Sequence, residues 1–337
     1  VMQTQFDRTL AVFRENDHTN ETIWRSIVLF GKNTASYKFS LAKGILDLAK
    51  KGKSVVSYNE LAQAYAPHLL EHYKTGLNQD TRGTDSALAR TYKGYVKGDV
   101  SYDELISFTA TKGFNNVVPR FHNVKGGLPF EFYEYNESAK QLVLSDRLYQ
   151  LQTNTGLLLE TEVEARWNLV ETAWNVGIPV NLLEVKIDDS GNELYIEGVD
   201  YRKSVTSARD ALSGYQKGKC FYSTRDIEIN SIDVDHFFPV SKQLLHGEDN
   251  LNGVWNLVLA DSSINRSKSD KRADEFYLAK LYERNEFYIA SRHPLGETIS
   301  KQTGPTPERR LQFLNKHNKA AKQYSPMGWK VEPNDVN

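Results

Sequence analysis

A chain of 337 residues can bury a sizeable core, and that length favours two domains over one. With 39% hydrophobic and 25% charged residues the composition is that of a soluble globular protein, which speaks against wholesale disorder, and no apolar run approaches the roughly 18–20 residues of a membrane span. The net charge of −1, from 42 basic and 43 acidic residues, does not advertise nucleic-acid binding, and the single cysteine, Cys220, excludes an internal disulfide framework and a cysteine-built zinc knuckle.

The opening V-M-Q-T-Q-F-D-R lacks the basic-then-apolar order of an export signal, so a cytoplasmic protein without membrane contact is expected. The first ~110 residues read as helical by period and caps. Apolar residues recur at Trp24, Ile27, Val28 and Phe30, then at Phe39, Leu41, Ile45, Leu46 and Leu48, and G-K-N-T at Gly31–Thr34 divides the pattern into two helices. That segment is not a P-loop, because Ser26 or Ile27 stands where the upstream glycine belongs. Ser57 with Glu60 and Ser101 with Glu104 each fit a capping box, so each should open a helix. Residues 117–144 carry turn residues and alternating aromatics and read as short strands and loops, with P-R-F-H at Pro119–His122 structural or binding rather than a second catalytic site. Helical spacing returns over Leu158–Val176, where Val163, Trp167, Val170 and Trp174 read as core. Leu182–Gly198 reads as a hairpin around D-D-S-G-N, and a helix follows from about Thr206 to Gln216. Strand-like C-F-Y-S, strand-like I-D-V-D-H-F-F-P, a long loop, W-N-L-V-L-A and N-R-S-K-S-D-K complete the order. The expected fold class is α+β: a mostly helical region over residues 1–200 with small β elements, then a second domain over 201–337 with C-terminal helices.

Charge is concentrated locally. Arg202, Lys203, Arg209, Lys217, Lys219 and Arg225 face only Asp200 and Asp210 between residues 200 and 225; Arg266, Lys268, Lys271 and Arg272 face Asp270 alone. A third run holds Lys301, Arg309, Arg310, Lys316, Lys319 and Lys322 against Glu308. Each run alone is an ordinary solvated face; together they bracket D-V-D-H-F-F-P, Asp233–Pro239, as a phosphate-binding surface would.

Asp235-His236 against that apolar run leaves three readings open: a buried structural hydrogen bond, a zinc ligand pair, or a metal-plus-base catalytic unit. Asp233 shares a strand face with Asp235 and is either an accessory ligand or solvent-facing. Adjacent strand residues point opposite ways, so Asp235 and His236 share a site only if the strand distorts there. Asn256, inside V-W-N-L-V, must satisfy its amide on the backbone of a neighbouring loop. Nine residues on, Asn265 heads N-R-S-K-S-D-K, where a helix is expected to begin. His246, in a glycine-containing loop, is expected at the surface.

The set Asp235-His236, Asn256 and Asn265-x-x-Lys268 resembles the HNH endonuclease motif, the ββα-metal nuclease fold, of the bacterial restriction and anti-phage type with a helical N-terminal domain. N-R-S-K-S-D is similar to a segment of several CRISPR effector nucleases, and Gly218–Tyr222 resembles the first strand of many such domains. The likeness is strong from Ala211 to Arg272, with a motif core at 218–272. Many members carry two C-x-x-C pairs for a structural zinc. Here Ser223 follows Cys220, and Asp261 and Ile264 hold the other two positions, so no structural zinc is expected and Phe221, Phe237, Phe238, Trp255 and Leu257 should support the motif instead.

The resemblance implies a metal-dependent endonuclease hydrolysing phosphodiester bonds in DNA, in restriction or phage defence. Asp235 and Asn265 would hold Mg2+ or Mn2+, which suits oxygen donors. His236 would be the general base, since an imidazole near pKa ~6.5 is substantially neutral at working pH. Asn256 would serve catalysis by fixing the loop that orients His236. Lys268, Arg266, Lys271, Arg272 and Arg202 would contact nucleic-acid phosphates. The motif meets a phosphodiester and not a base, so an RNA-cleaving nuclease stands as an alternative, as does a non-catalytic nucleic-acid-binding module on the same scaffold. One such site faces one strand at a time, so double-strand cutting implies successive nicks or an assembly, a homodimer or a partner defence protein.

Overall fold

The computed structural model describes residues 13–15, 17–31, 35–80, 86–124, 126–175, 186–187, 193–197, 202–291 and 293–332. The fold is α+β, with helices dominating three small sheets, and it divides into two compact units, the described residues up to Asn175 and those from Lys186 on.

In the first unit the divided apolar pattern becomes α1 (Asn20–Phe30) and α2 (Tyr37–Lys50); residues 32–34 lie outside the described residues. The buried Lys38 Nζ donates to the carbonyls of Ile27 and Gly31 at 3.0 and 3.1 Å and so satisfies the C-terminal end of α1, while burial and nearby Arg166 push its pKa well down. After β1 (Val55–Ser57), both capping boxes form, Ser57 opening α3 (Tyr58–Lys74) and Ser101 opening α5 (Tyr102–Phe108), with α4 (Ala87–Lys97) between them. The strand-and-loop expectation fails over its first residues: a π turn at Thr109–Gly113 leads into helix α6 (Phe114–Arg120). Phe114, Val118 and Phe121 are all buried at i, i+4 and i+7, a helical stripe that outweighs the turn signal of Pro119. The strands do form further on, as β2 (Tyr133–Asn136) and β3 (Gln141–Leu144), in the antiparallel order β1-β3-β2. His122 accepts the Phe132 N–H at 3.0 Å, and burial pushes its pKa down to about 4, so the ring sits neutral among the aromatics of this unit. The long α7 (Asp146–Asn175) receives α1 and α2; Val163, Trp167 and Val170 are buried as expected, while Trp174 is half-buried.

His72 on α3 lies flat on Trp167, 3.6 Å between ring centroids, and bonds Glu171 at 2.7 Å and Glu164 at 3.0 Å. Burial alone would lower its pKa, but the two glutamates overrule it and raise the value; Lys43 also pairs with Glu164. A raised folded-state pKa stabilises fully below the unfolded value of about 6.5, and that stabilisation is lost as pH rises through the folded value. Thermal unfolding followed by circular dichroism should therefore show a larger deficit for His72→Gln at about pH 6 than in alkaline buffer.

In the second unit β4 (Lys186–Ile187) and β5 (Glu193–Glu197) pair antiparallel, the hairpin read from sequence, although residues 182–185 and its turn at 188–192 lie outside the described residues. Strand β6 (Arg202–Ser207) pairs with β5 and leads into α8 (Ala208–Gln216). Beyond them lie β7 (Ile232–His236), β8 (Leu257–Asp261), α9 (Ser262–Lys268), α10 (Glu275–Ala290), α11 (Pro294–Thr303) and α12 (Pro307–Tyr324). Among the described residues no helix is long and apolar enough to cross a membrane.

Candidate active site

Strands β7 and β8 run antiparallel in unbroken register from Ile232 opposite Asp261 to His236 opposite Leu257, and α9 follows β8 at once and packs on both. The result is a strand–strand–helix unit. Two boundaries differ from the sequence expectation. C-F-Y-S is a turn and not a strand: Thr224 N–H bonds the Cys220 carbonyl, and Thr224 sits at φ 63°. Consecutive Phe221 and Tyr222 are both buried, which strand alternation toward one core would forbid. Helix α9 begins at Ser262, capped by Asp261 on the Ser263 N–H, so Asn265 lies one turn inside it instead of at its head.

The period of β7 puts Asp233 and Asp235 on one face, toward α9. Asp233 accepts from Ser262 Oγ at 2.9 Å and from Asn265 Nδ2 at 3.1 Å. Asp235, buried, accepts from the Tyr222 hydroxyl and from Lys268 Nζ, which lies 3.1 and 2.9 Å from its two oxygens. Burial, with the charge of Asp235 added, pushes the Tyr222 pKa well up, so its hydroxyl remains a donor. Lys268 Nζ also donates to the His236 carbonyl at 3.0 Å. The strand is not distorted at Asp235-His236, so the two side chains leave it on opposite faces and the distortion expected for a shared face does not occur; Lys268 ties the aspartate to the main chain of the histidine, the last residue of β7.

His236 is half-buried, with Nε2 2.8 Å from Asn252 Oδ1. Burial lowers its pKa against the raising effect of Asn252 and Asp235, leaving the ring neutral at pH 7. In that neutral ring Nε2–H donates to Asn252, and Nδ1 keeps the lone pair. Asn256 is fully buried and touches main chain only: Oδ1 accepts the Phe238 N–H, and Nδ2 donates to the Phe238 and Leu251 carbonyls, all at 2.8 Å. It thus ties the start of the 237–256 connection to its end. Replacing Asn256 with leucine strands three buried backbone groups at roughly 1–3 kcal/mol each, so denaturant unfolding should report a loss of about 3 kcal/mol or more.

Phe221, Phe237, Phe238, Trp255 and Leu257 are all buried beneath these residues, as the sequence required. His246 is a correction: it is buried, its Nδ1 2.9 Å from Nδ1 of His317 on α12, because ring packing with Phe238 outweighs its glycine-rich surroundings. Two of the expected phosphate contacts are corrected by burial as well. Lys268 is wholly enclosed, and Arg272 donates inward to the carbonyls of Ser325 and Pro326. Arg266 and Lys271 are exposed; Arg202 opens β6, and its side chain lies outside the described residues. The sequence reading missed Tyr222, Asn252 and Ser262. Only Asn252 carried a signal, as a polar side chain in a long connection returning to the strand.

Among the described residues no group of three or more His, Cys, Asp or Glu side chains is arranged to hold a metal ion. By donor chemistry the Asp235 carboxylate and the Asn265 amide oxygen suit a hard divalent cation that keeps most of its waters; the Asn265 nitrogen is spent on Asp233, and a cation on Asp235 would share that carboxylate with Lys268 and Tyr222. A family model described as HNH endonuclease matches residues 220–273, the span from the Cys220 turn through α9. No curated protein and no solved structure matches the chain.

Proposed function

We propose, from the premise that the chain carries an HNH endonuclease domain over residues 220–273, that it is a metal-dependent endonuclease hydrolysing phosphodiester bonds in DNA, in restriction or phage defence. The observation that carries this reading is the strand–strand–helix unit spanned by the family model, with Asp235 and Asn265 on the α9 side of β7 and His236 at the strand's last position, so that a phosphodiester seated across the strand end meets both. Asp235 and Asn265 would hold Mg2+ or Mn2+, and the bound ion would neutralise charge developing on the phosphoryl oxygens. His236 Nδ1 takes a proton from the attacking water as the water oxygen bonds to phosphorus and the phosphorus–oxygen bond to the leaving group breaks, the leaving oxygen taking up a proton from solvent water. Asn252 holds Nε2–H, so the ring meets the water with its basic nitrogen. Asn256 keeps the connection that carries Asn252 in place. The exposed Arg266 and Lys271 meet backbone phosphates, with Arg202 a further contact. The helical region, residues 1–200, supplies target recognition or regulation.

The test is digestion of supercoiled plasmid, linear duplex and labelled RNA by the full chain, with Mg2+ or Mn2+ and with chelator. DNA cleavage that needs the cation and His236 is the expected result. Equal inertness of the unmodified chain and His236→Ala on every substrate would overturn the enzyme reading, and cleavage of RNA alone would overturn the choice of DNA.

A further inference from the structure

The proposed mechanism gives Asp233 no task, yet its carboxylate accepts a hydrogen bond from the Asn265 side chain. It leaves β7 on the same face as Asp235, and both of its oxygens are occupied, one by Asn265 Nδ2 at 3.1 Å and the other by Ser262 Oγ at 2.9 Å. The Ser262 hydroxyl has one proton, shared between Asp233 and the Ser231 carbonyl 3.0 Å away, so it braces the carboxylate against the start of β7. The chemistry of the pair is directional. An ionised carboxylate only accepts, so the edge of the Asn265 amide that faces it must be NH2. The amide oxygen is thereby turned away from Asp233. A free asparagine presents nitrogen or oxygen with little preference, and its helix position sets the side chain's origin but not which end of the amide faces the site.

We propose that Asp233 is a positioning residue: it locks the Asn265 amide with Oδ1 presented to the cation, and it is not itself a ligand. The proposal rests on the assignment of Asp235 and Asn265 as the cation's ligands. It also explains why the strand carries two aspartates one period apart. One binds, and the other orients the second ligand, the usual task of groups that hold metal ligands in place.

The experiment is Mn2+ binding to the full chain by titration calorimetry, with folding checked by circular dichroism. Asp233→Leu is expected to weaken Mn2+ binding by about 10–100-fold, the usual effect of removing a group that orients a ligand. In an Asn265→Ala background the same change is expected to cost less than about threefold, because the residue it acts through is gone. Equal losses in the two backgrounds would overturn the proposal by making Asp233 an independent ligand, and no loss in the unmodified background would overturn it by removing any role. Asp233→Asn covers the case in which leucine prevents folding, since it keeps the shape and an acceptor for Nδ2–H. It is expected to bind far closer to the unmodified chain than Asp235→Asn does, and a loss as large as that of Asp235→Asn would overturn the proposal. If the unmodified chain bound no Mn2+, the ligand assignment itself would fall, a result distinguishable from failure of the variants alone.

Discussion

Replacing His236 by alanine is expected to slow DNA hydrolysis by about 10²–10⁴-fold, the range a positioned general base contributes. On the proposed mechanism the loss should fall on kcat with KM little changed, because the imidazole would act on the attacking water in the transition state and would not bind the substrate. Mn2+ affinity should be nearly unaffected, since the ring leaves β7 opposite the face that carries Asp233 and Asp235. Stability should change only modestly, because the side chain is half-buried and its hydrogen bond runs to a half-buried asparagine. These three outcomes separate the base from its neighbours: a change at Asp235 should lower cation binding, and a change at Asn256 should lower stability. A His236→Ala protein that cut DNA within tenfold of the unmodified rate would remove the histidine from the chemistry.

The spacing of Asp235, His236, Asn256 and Asn265 was legible because each constrains a short element whose geometry follows from local sequence. Strand alternation set the faces of β7, and an amide inside V-W-N-L-V could only turn to main chain. Both capping boxes were legible for the same reason, since donor and acceptor lie three residues apart. What stayed hidden depends on contacts between distant segments. Tyr222 reaches Asp235 only because the Cys220 turn folds beside β8, where Phe221 N–H bonds the Leu259 carbonyl. His246 meets His317 across 71 residues. Lys268 misled because N-R-S-K-S-D-K looks like one basic face. Its helical position was the better guide: it lies one turn beyond Ile264, the apolar residue that α9 turns inward, so its side chain follows Ile264 into the core. In α6 the buried apolar stripe outweighed proline, whose missing N–H costs the helix one bond to the turn before it.

Replacing Lys268 by methionine should destabilise the protein strongly. The side chain is fully enclosed, and its ammonium pairs with both oxygens of buried Asp235 while also holding the His236 carbonyl. Removing one partner of a buried ion pair leaves the other charge uncompensated, at a cost of about 3–5 kcal/mol. Tyr222 alone would remain as donor to Asp235, and the last carbonyl of β7 would lose its partner. The same change tests where the cation sits. With the ammonium gone, a divalent ion on Asp235 would supply the missing charge, so Mn2+ should recover part of the loss. An ion at a hundred times its dissociation constant stabilises by about 2.7 kcal/mol. Denaturant unfolding of Lys268→Met with and without Mn2+ should therefore show a larger metal-dependent gain than the unmodified chain, in which Lys268 already neutralises Asp235. Equal gains in the two proteins would place the cation away from Asp235, and a loss below about 1 kcal/mol would mean that the pair contributes no more than an exposed one.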